Sequence, residues 1–247
     1  MARRGPGLPR LLTFGDRVPA SLGLVLALML AMSVWAWLDR GQFGALMALS
    51  PPALLDLQLW RLVTWPFVQR HPINDLLFGG LMVFWLGQQL SFVWSERRFL
   101  LRVLGYAVFP AVATTLAAVA YRPLLDLHYV GIWPVANALI VSWAMLYPDR
   151  QVNIWGVLPI TGRMAAWLVV GGTVLYGIAI GGVEGVLLMA PHLFAIGLAW
   201  ALARGLGFRR PWRDARAWLA EQSARRRSRH LKVVKRNGEE DRPRWLN

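Results

Sequence analysis

PASLGLVLALMLAMSVWAWL, residues 19–38, settles the class of this chain before any other stretch is read. It is an uninterrupted apolar run of about 20 residues, the length a helix needs to cross a bilayer. No small-residue cleavage site follows it, and it ends in aromatics and Asp39-Arg40. It therefore reads as a retained span and not as a signal peptide.

Outward from that run, five more apolar stretches follow, at roughly 73–93, 99–120, 129–147, 164–181 and 183–203. Aromatic residues such as Trp85, Trp94, Tyr121, Tyr147 and Trp200 stand near their ends, where an interfacial belt belongs. The fifth stretch is rich in glycine (GGTVLYGIAIGG), which suits close helix packing and leaves its limits open. The sequence thus predicts an all-α membrane protein of six transmembrane helices. Residues 1–18 form an N-terminal tail, 19–205 the membrane domain and 206–247 a basic C-terminal tail.

Charge gives the expected direction. The 247 residues carry a formal net charge of +14, and of the 27 Lys and Arg only Arg40, Arg61, Arg70 and Arg122 fall on one side of the six spans. The positive-inside rule then places both termini in the cytoplasm. Lys232 and Lys235 are the only lysines. That arginine bias points to a GC-rich bacterial genome and so to a bacterial cytoplasmic (inner) membrane. Cysteine is absent, which removes disulfides and thiolate metal sites. His71, His128, His192 and His230 are scattered without metal-ligand spacing, so neither a metal nor a cofactor is expected.

The loop after the first span, about residues 39–72, is not simply polar. In PPALLDLQLWRLVTWPF the residues Leu55, Leu59, Leu62 and Val63 recur at helical spacing. A short helix lying in the membrane interface fits this pattern; a solvent loop with incidental apolar residues is the alternative.

Three segments carry a family resemblance. LQLWRLVTWPFV (57–68), with Trp60-Arg61, resembles the interfacial loop of rhomboid proteins. LGQQLSFVWSERRFLL (86–101) is similar to the end of the rhomboid second helix and its turn. VSWAMLYPDRQVNIWGVLPITGRMAAWL (141–168) resembles the turn after the fourth helix. With the same six-helix layout, the resemblance covers about residues 19–205 in the family's order. The resemblance implies a six-helix rhomboid-like bundle with an interfacial first loop. Trp60 would lie at headgroup level, and the Arg61 guanidinium would satisfy loop carbonyls.

Rhomboids are intramembrane serine proteases, or inactive relatives such as derlins that handle membrane proteins without cutting them. Active members open helix four with Gly-x-Ser-Gly. They carry His-x-x-x-Asn on helix two and a His base on helix six. Such chemistry needs nucleophile and base within hydrogen-bond reach, with donors where negative charge develops. Laid on GIWPVANALI, the motif's Gly falls on Gly131, its Ser on Trp133 and its second Gly on Pro134. An indole has no nucleophilic oxygen, and Pro134 removes a backbone donor. On helix two, Asp75 takes the His position and Gly79 the Asn position. Asp75 reads either as a carboxylate favoured at a helix N-terminus or as a functional group.

Helix six keeps His192 at the base position, with Ala195 and Ala199 at i+3 and i+7 where the family has glycines. Without a serine partner, His192 reads as a buried polar group. Asn137, one turn beyond Trp133, is expected to satisfy polar groups around the same former cavity, as is His192. Ser142 lies about 13 Å deeper on the opposite helix face and is no substitute nucleophile. These vestigial positions imply a pseudoprotease.

In the tail, Trp212, Ala215, Trp218 and Leu219 recur at helical spacing, and Arg225-Arg226-Arg227 follow. A basic amphipathic helix against anionic lipid headgroups at the cytoplasmic face is expected, and nucleic acid is not an expected partner. The function that follows is a non-proteolytic rhomboid-like protein that binds transmembrane segments of client or partner proteins, in quality control, trafficking or assembly. A structural subunit of a larger membrane complex is one alternative. An intramembrane serine protease with an unrecognised nucleophile is the other.

Overall fold

The computed structural model describes residues 18–154 and 158–205. In chain order its helices are α1 (Ala20–Leu38), α2 (Gln42–Met47), α3 (Pro51–Leu55), α4 (Arg61–Thr64), α5 (Pro72–Val93), α6 (Glu96–Ala120), α7 (Trp133–Leu146), α8 (Gly162–Leu188) and α9 (Ala190–Ala203). α1, α5, α6 and α8 are long and apolar enough to cross a membrane, and α7 and α9 are shorter apolar helices. The chain is an all-α membrane protein with one small exception. Between α7 and α8, β1 (Gln151–Ile154) pairs antiparallel with β2 (Leu158–Thr161), Gln151 opposite Thr161. Nothing in the sequence pattern had marked that hairpin.

Burial follows helical spacing. Leu22, Val25, Met29, Ser33 and Ala36 form the inner stripe of α1, while Leu24, Leu28, Leu30 and Trp35 point outward. Exposed leucines are at home on such a helix, because lipid tails are as apolar as they are. α7 is buried on most of its surface and is the central helix; its most extensive contact is with α9.

The last two expected spans differ in outline. Gly181 and Gly182 take non-helical angles within α8, which then continues to Leu188. Met189 turns the chain, and α9 begins at Ala190 with Pro191 in its first turn, where a missing N–H leaves no bond unmade. The stretch 183–203 is therefore two pieces and not one helix.

The first loop also differs from the single interfacial helix expected there. α3 stops in a Schellman-type cap: Leu57 takes φ 64°, Gln58 N donates to the Ala53 carbonyl and Leu57 N to that of Leu54. The chain restarts as α4 and runs into a 3-10 turn, Trp65–Phe67. Leu49 and Tyr129 exchange backbone hydrogen bonds of 2.8 and 2.9 Å, tying this loop to the approach to α7. In α6, Pro110 interrupts the backbone ladder, and Trp65 Nε1 donates to the Ala107 carbonyl at 3.2 Å.

Candidate functional site

The start of α7 is set by its own sequence. Gly131 has φ +113°, a conformation that side-chain-bearing residues rarely adopt. Its N–H donates to the Trp65 carbonyl at 3.1 Å, and the next N–H, of Ile132, donates to Gln69 Oε1 at 3.0 Å. Pro134 occupies the first turn of α7. The amide donors at the approach to α7 are thus engaged by the first loop, one by a backbone carbonyl and one by the Gln69 side chain.

Facing it is an unusual stretch of α5. From Pro72 to Gly79 this helix is π-wound, and Asp75 and Gly79 are its buried residues. The wider winding is rare and tends to occur where a helix carries a site. The Asp75 carboxylate takes three donors: His71 N at 3.0 Å, Asn74 Nδ2 at 3.2 Å and Trp133 Nε1 at 3.1 Å. Asp75 is thus both a helix-start carboxylate and the partner of the indole. The two sequence readings of it meet in one side chain.

Gly79 has a separate reason to lack a side chain. A Cβ there would lie 2.6 Å from Ile132 Cγ2. The position brings α5 against the first turn of α7 closely enough for the Asp75–Trp133 bond to form.

The other expected residues are not drawn into this network. Asn137 is half-buried and makes no hydrogen bond among the described residues. His192 is in the first turn of α9, and its Nδ1 is buried without a partner among them. The two side chains therefore do not satisfy polar groups around Trp133 as the sequence had suggested. Both sit on the well-packed α7–α9 pair, where neighbouring side chains are mainly apolar. Ala195 and Ala199 are buried in the same core cluster as Ala136 of α7, so that small residues let the two helices approach. Ser142 is held at 2.7 Å by the Tyr106 hydroxyl. No group of three or more His, Cys, Asp or Glu able to hold a metal occurs among the described residues.

Trp60 and Arg61 belong to the first loop. Trp60 is exposed and its Nε1 donates to the Leu46 carbonyl at 3.3 Å. Arg61 is only 8% exposed; its Nη1 donates to the carbonyls of Ala45 (2.8 Å) and Ala48 (2.6 Å) and its Nε to Gln58 Oε1 (2.8 Å). Burial lowers its pKa, and the ring of acceptors favours the charged form against that loss of solvation.

Gln69 is the residue that sequence reasoning missed. It is 1% exposed, its Nε2 donates to the Pro66 carbonyl at 2.7 Å, and its own N–H reaches Ser33 Oγ at 3.1 Å. With its bond to Ile132 it links α1, the first loop and α7. A glutamine between apolar residues and Arg70 gave one signal, a polar side chain at the edge of a span. The membrane-surface candidates Arg225, Arg226, Arg227, Trp212 and Trp218 lie outside the described residues.

What this geometry can do is hold two helices together by a carboxylate–indole bond. At the position that resembles the rhomboid serine stands the Trp133 indole, which has no hydroxyl.

Residues 21–209 match the family described as Eukaryotic integral membrane protein (DUF1751). The chain belongs to that family. It is also 29% identical over 143 residues to Derlin-1 of Oryza sativa subsp. japonica, a match over 53% of this chain. The chain spans about half the length of that curated relative, 56% of it. The family is one of integral membrane proteins, and the likeness to a derlin agrees with the rhomboid-like resemblance read from the sequence. They overturn the bacterial inner-membrane assignment: the family is described as eukaryotic and the relative is from a plant. The arginine bias behind that assignment reports codon composition, which kingdoms share; it carries no membrane address.

Proposed function

We propose that this member of the family is a non-proteolytic rhomboid-like protein, crossing the membrane six times, that binds transmembrane segments of client proteins. The observation that carries the reading is the Trp133–Asp75 hydrogen bond. It occupies with an indole and a carboxylate the two positions where the resembling proteases place a serine and an oxyanion donor. A peptide carbonyl entering there would meet a ring and a negative charge, the opposite of what a tetrahedral oxyanion needs.

The arrangement around α7 supports the route of entry. α5 and α8 each lean on α7 and scarcely touch one another. Phe78 of α5 and Trp167, Leu168 and Leu175 of α8 are exposed. A foreign helix lodged between them would be held by close packing and polar contacts, since removing apolar surface from lipid gains little.

The test is site-specific photo-crosslinking in a eukaryotic host, with the crosslinker at Phe78 or Leu175. Membrane proteins captured through their spans, and lost when the crosslinker is moved to the buried Leu139, support the reading. Recovery no greater than for an unrelated multi-pass protein counts against it. A fluorophosphonate probe is expected to leave the chain unlabelled; labelling abolished by His192→Ala would restore the protease.

A further inference from the structure

A second feature lies away from α7's vestigial site, at the end of the bundle where α1 finishes and α5 begins. A cleft of about 500 Å³ opens there. Its floor is made of small residues, Gly41, Gly44, Ala45 and Ala48, and its rim carries Arg40, Arg70 and His128. No carboxylate lines it.

The cations are placed by the backbone. Arg40 is the left-handed residue, φ 56°, of a Schellman-type cap that ends α1: Gly41 N donates to the Ala36 carbonyl at 2.8 Å and Arg40 N to that of Trp37 at 3.3 Å, which fixes where its side chain leaves the helix. Its guanidinium has neither a hydrogen bond nor an ion pair among the described residues; the ion pair found among them is Arg163–Asp149. The nearest acid in sequence, Asp39, is engaged elsewhere, accepting from Phe43 N at 2.6 Å. Arg70 donates through Nη2 to the His128 carbonyl at 2.9 Å, which keeps its remaining donors near the cleft. Trp37 forms one wall, with Nε1 held by the Gln69 carbonyl at 3.1 Å.

The level of the cleft follows from its surroundings. Trp35 and Trp37 are exposed at the end of α1, and the adjoining loop exposes Leu46, Leu55, Leu57, Leu59 and Trp60. Exposed indoles at a helix end mark the headgroup region, and a loop showing that much apolar surface lies in it. Guanidinium groups at that level with no carboxylate beside them match the oxygens of a phosphate, which they bind in a forked geometry that ammonium groups cannot copy.

We propose that this cleft binds an anionic phosphate group, presented by a phospholipid headgroup or as free phosphate. The experiment is native mass spectrometry of the full chain in neutral detergent, titrated with phosphatidic acid, phosphatidylcholine or inorganic phosphate. The wild type is expected to retain phosphatidic acid in preference to phosphatidylcholine, and the preference should fall about fivefold for each arginine removed in Arg40→Gln and Arg40→Gln/Arg70→Gln. Arg122→Gln, outside the cleft, should leave it unchanged. The basic tail is common to every variant, so only differences between variants count.

Arg40→Gln alone breaks no described contact and keeps the test decisive if the double variant folds poorly. Displacement of phosphatidic acid by inorganic phosphate would assign the site to the free ion, and resistance to displacement would assign it to the lipid. Equal retention of phosphatidic acid by wild type and Arg40→Gln, with no bound phosphate, would overturn the proposal.

Discussion

Two polar clusters lie within an otherwise apolar molecule, and they are built on different terms. Around Arg61 the buried cation is met by the carbonyls of Ala45 and Ala48 and the amide of Gln58. Around α9 the half-buried His192 has its Nδ1 unmatched, and the Asn137 side chain on α7 forms no bond among the described residues. A polar group that folding depends on is surrounded by partners; one that it does not depend on need only be tolerated by its neighbours. The Trp133–Asp75 pair falls between the two, since it fills a reaction position and also binds α5 to α7.

Mutations can break this contrast. Arg61→Ala should have the largest effect, because it strips two loop carbonyls of their donor at about 1–3 kcal/mol each. Thermal unfolding in detergent micelles would show it as a lowered midpoint, and Arg61→Lys should recover only part, since one ammonium cannot reproduce the fork. Gly79→Val comes next. It drives a side chain into Ile132 and separates α5 from α7, at about 1–3 kcal/mol, again read by thermal unfolding. Trp133→Phe keeps the ring but removes the donor to Asp75. A loss of about 1–3 kcal/mol is expected, with no gain of fluorophosphonate labelling.

His192→Leu is the sharpest probe. Removing an unpartnered buried nitrogen should leave stability within about 1 kcal/mol of wild type or raise it. If it costs as much as Arg61→Ala, the histidine has a partner that the contrast denies it, and the two regions are not different in kind. The smallest change is expected from Trp60→Phe, whose exposed indole makes one long bond; a shift below about 1 kcal/mol is expected, measured in the same way.

The parts of the fold that could be read from sequence were those governed by medium and period. Residues 20–38 had to be a helix that meets lipid, since only a helix satisfies its own backbone there. The indole at the position resembling the rhomboid serine was legible because that comparison needs one residue type at one place, and Trp133 is not that type. The strand pair Gln151–Ile154 and Leu158–Thr161 was hidden, because a four-residue strand leaves no period to detect. Gln69 was hidden for a different reason. A single polar residue announces that it needs partners but not which ones, and its partners Ser33 and Ile132 are 36 and 63 residues away in the chain.

The sequence by itself determined that this protein lives in a bilayer as a set of apolar helices and that an indole, with no hydroxyl, stands at the position resembling the rhomboid serine. Both are properties of residue type and spacing, which folding does not alter. Only the tertiary structure decided what that indole binds. The bond from Trp133 to Asp75, the contact that excludes a side chain at Gly79 and the isolation of His192 depend on how helices distant in the chain approach, and distances across a packed bundle are written in no local run of residues.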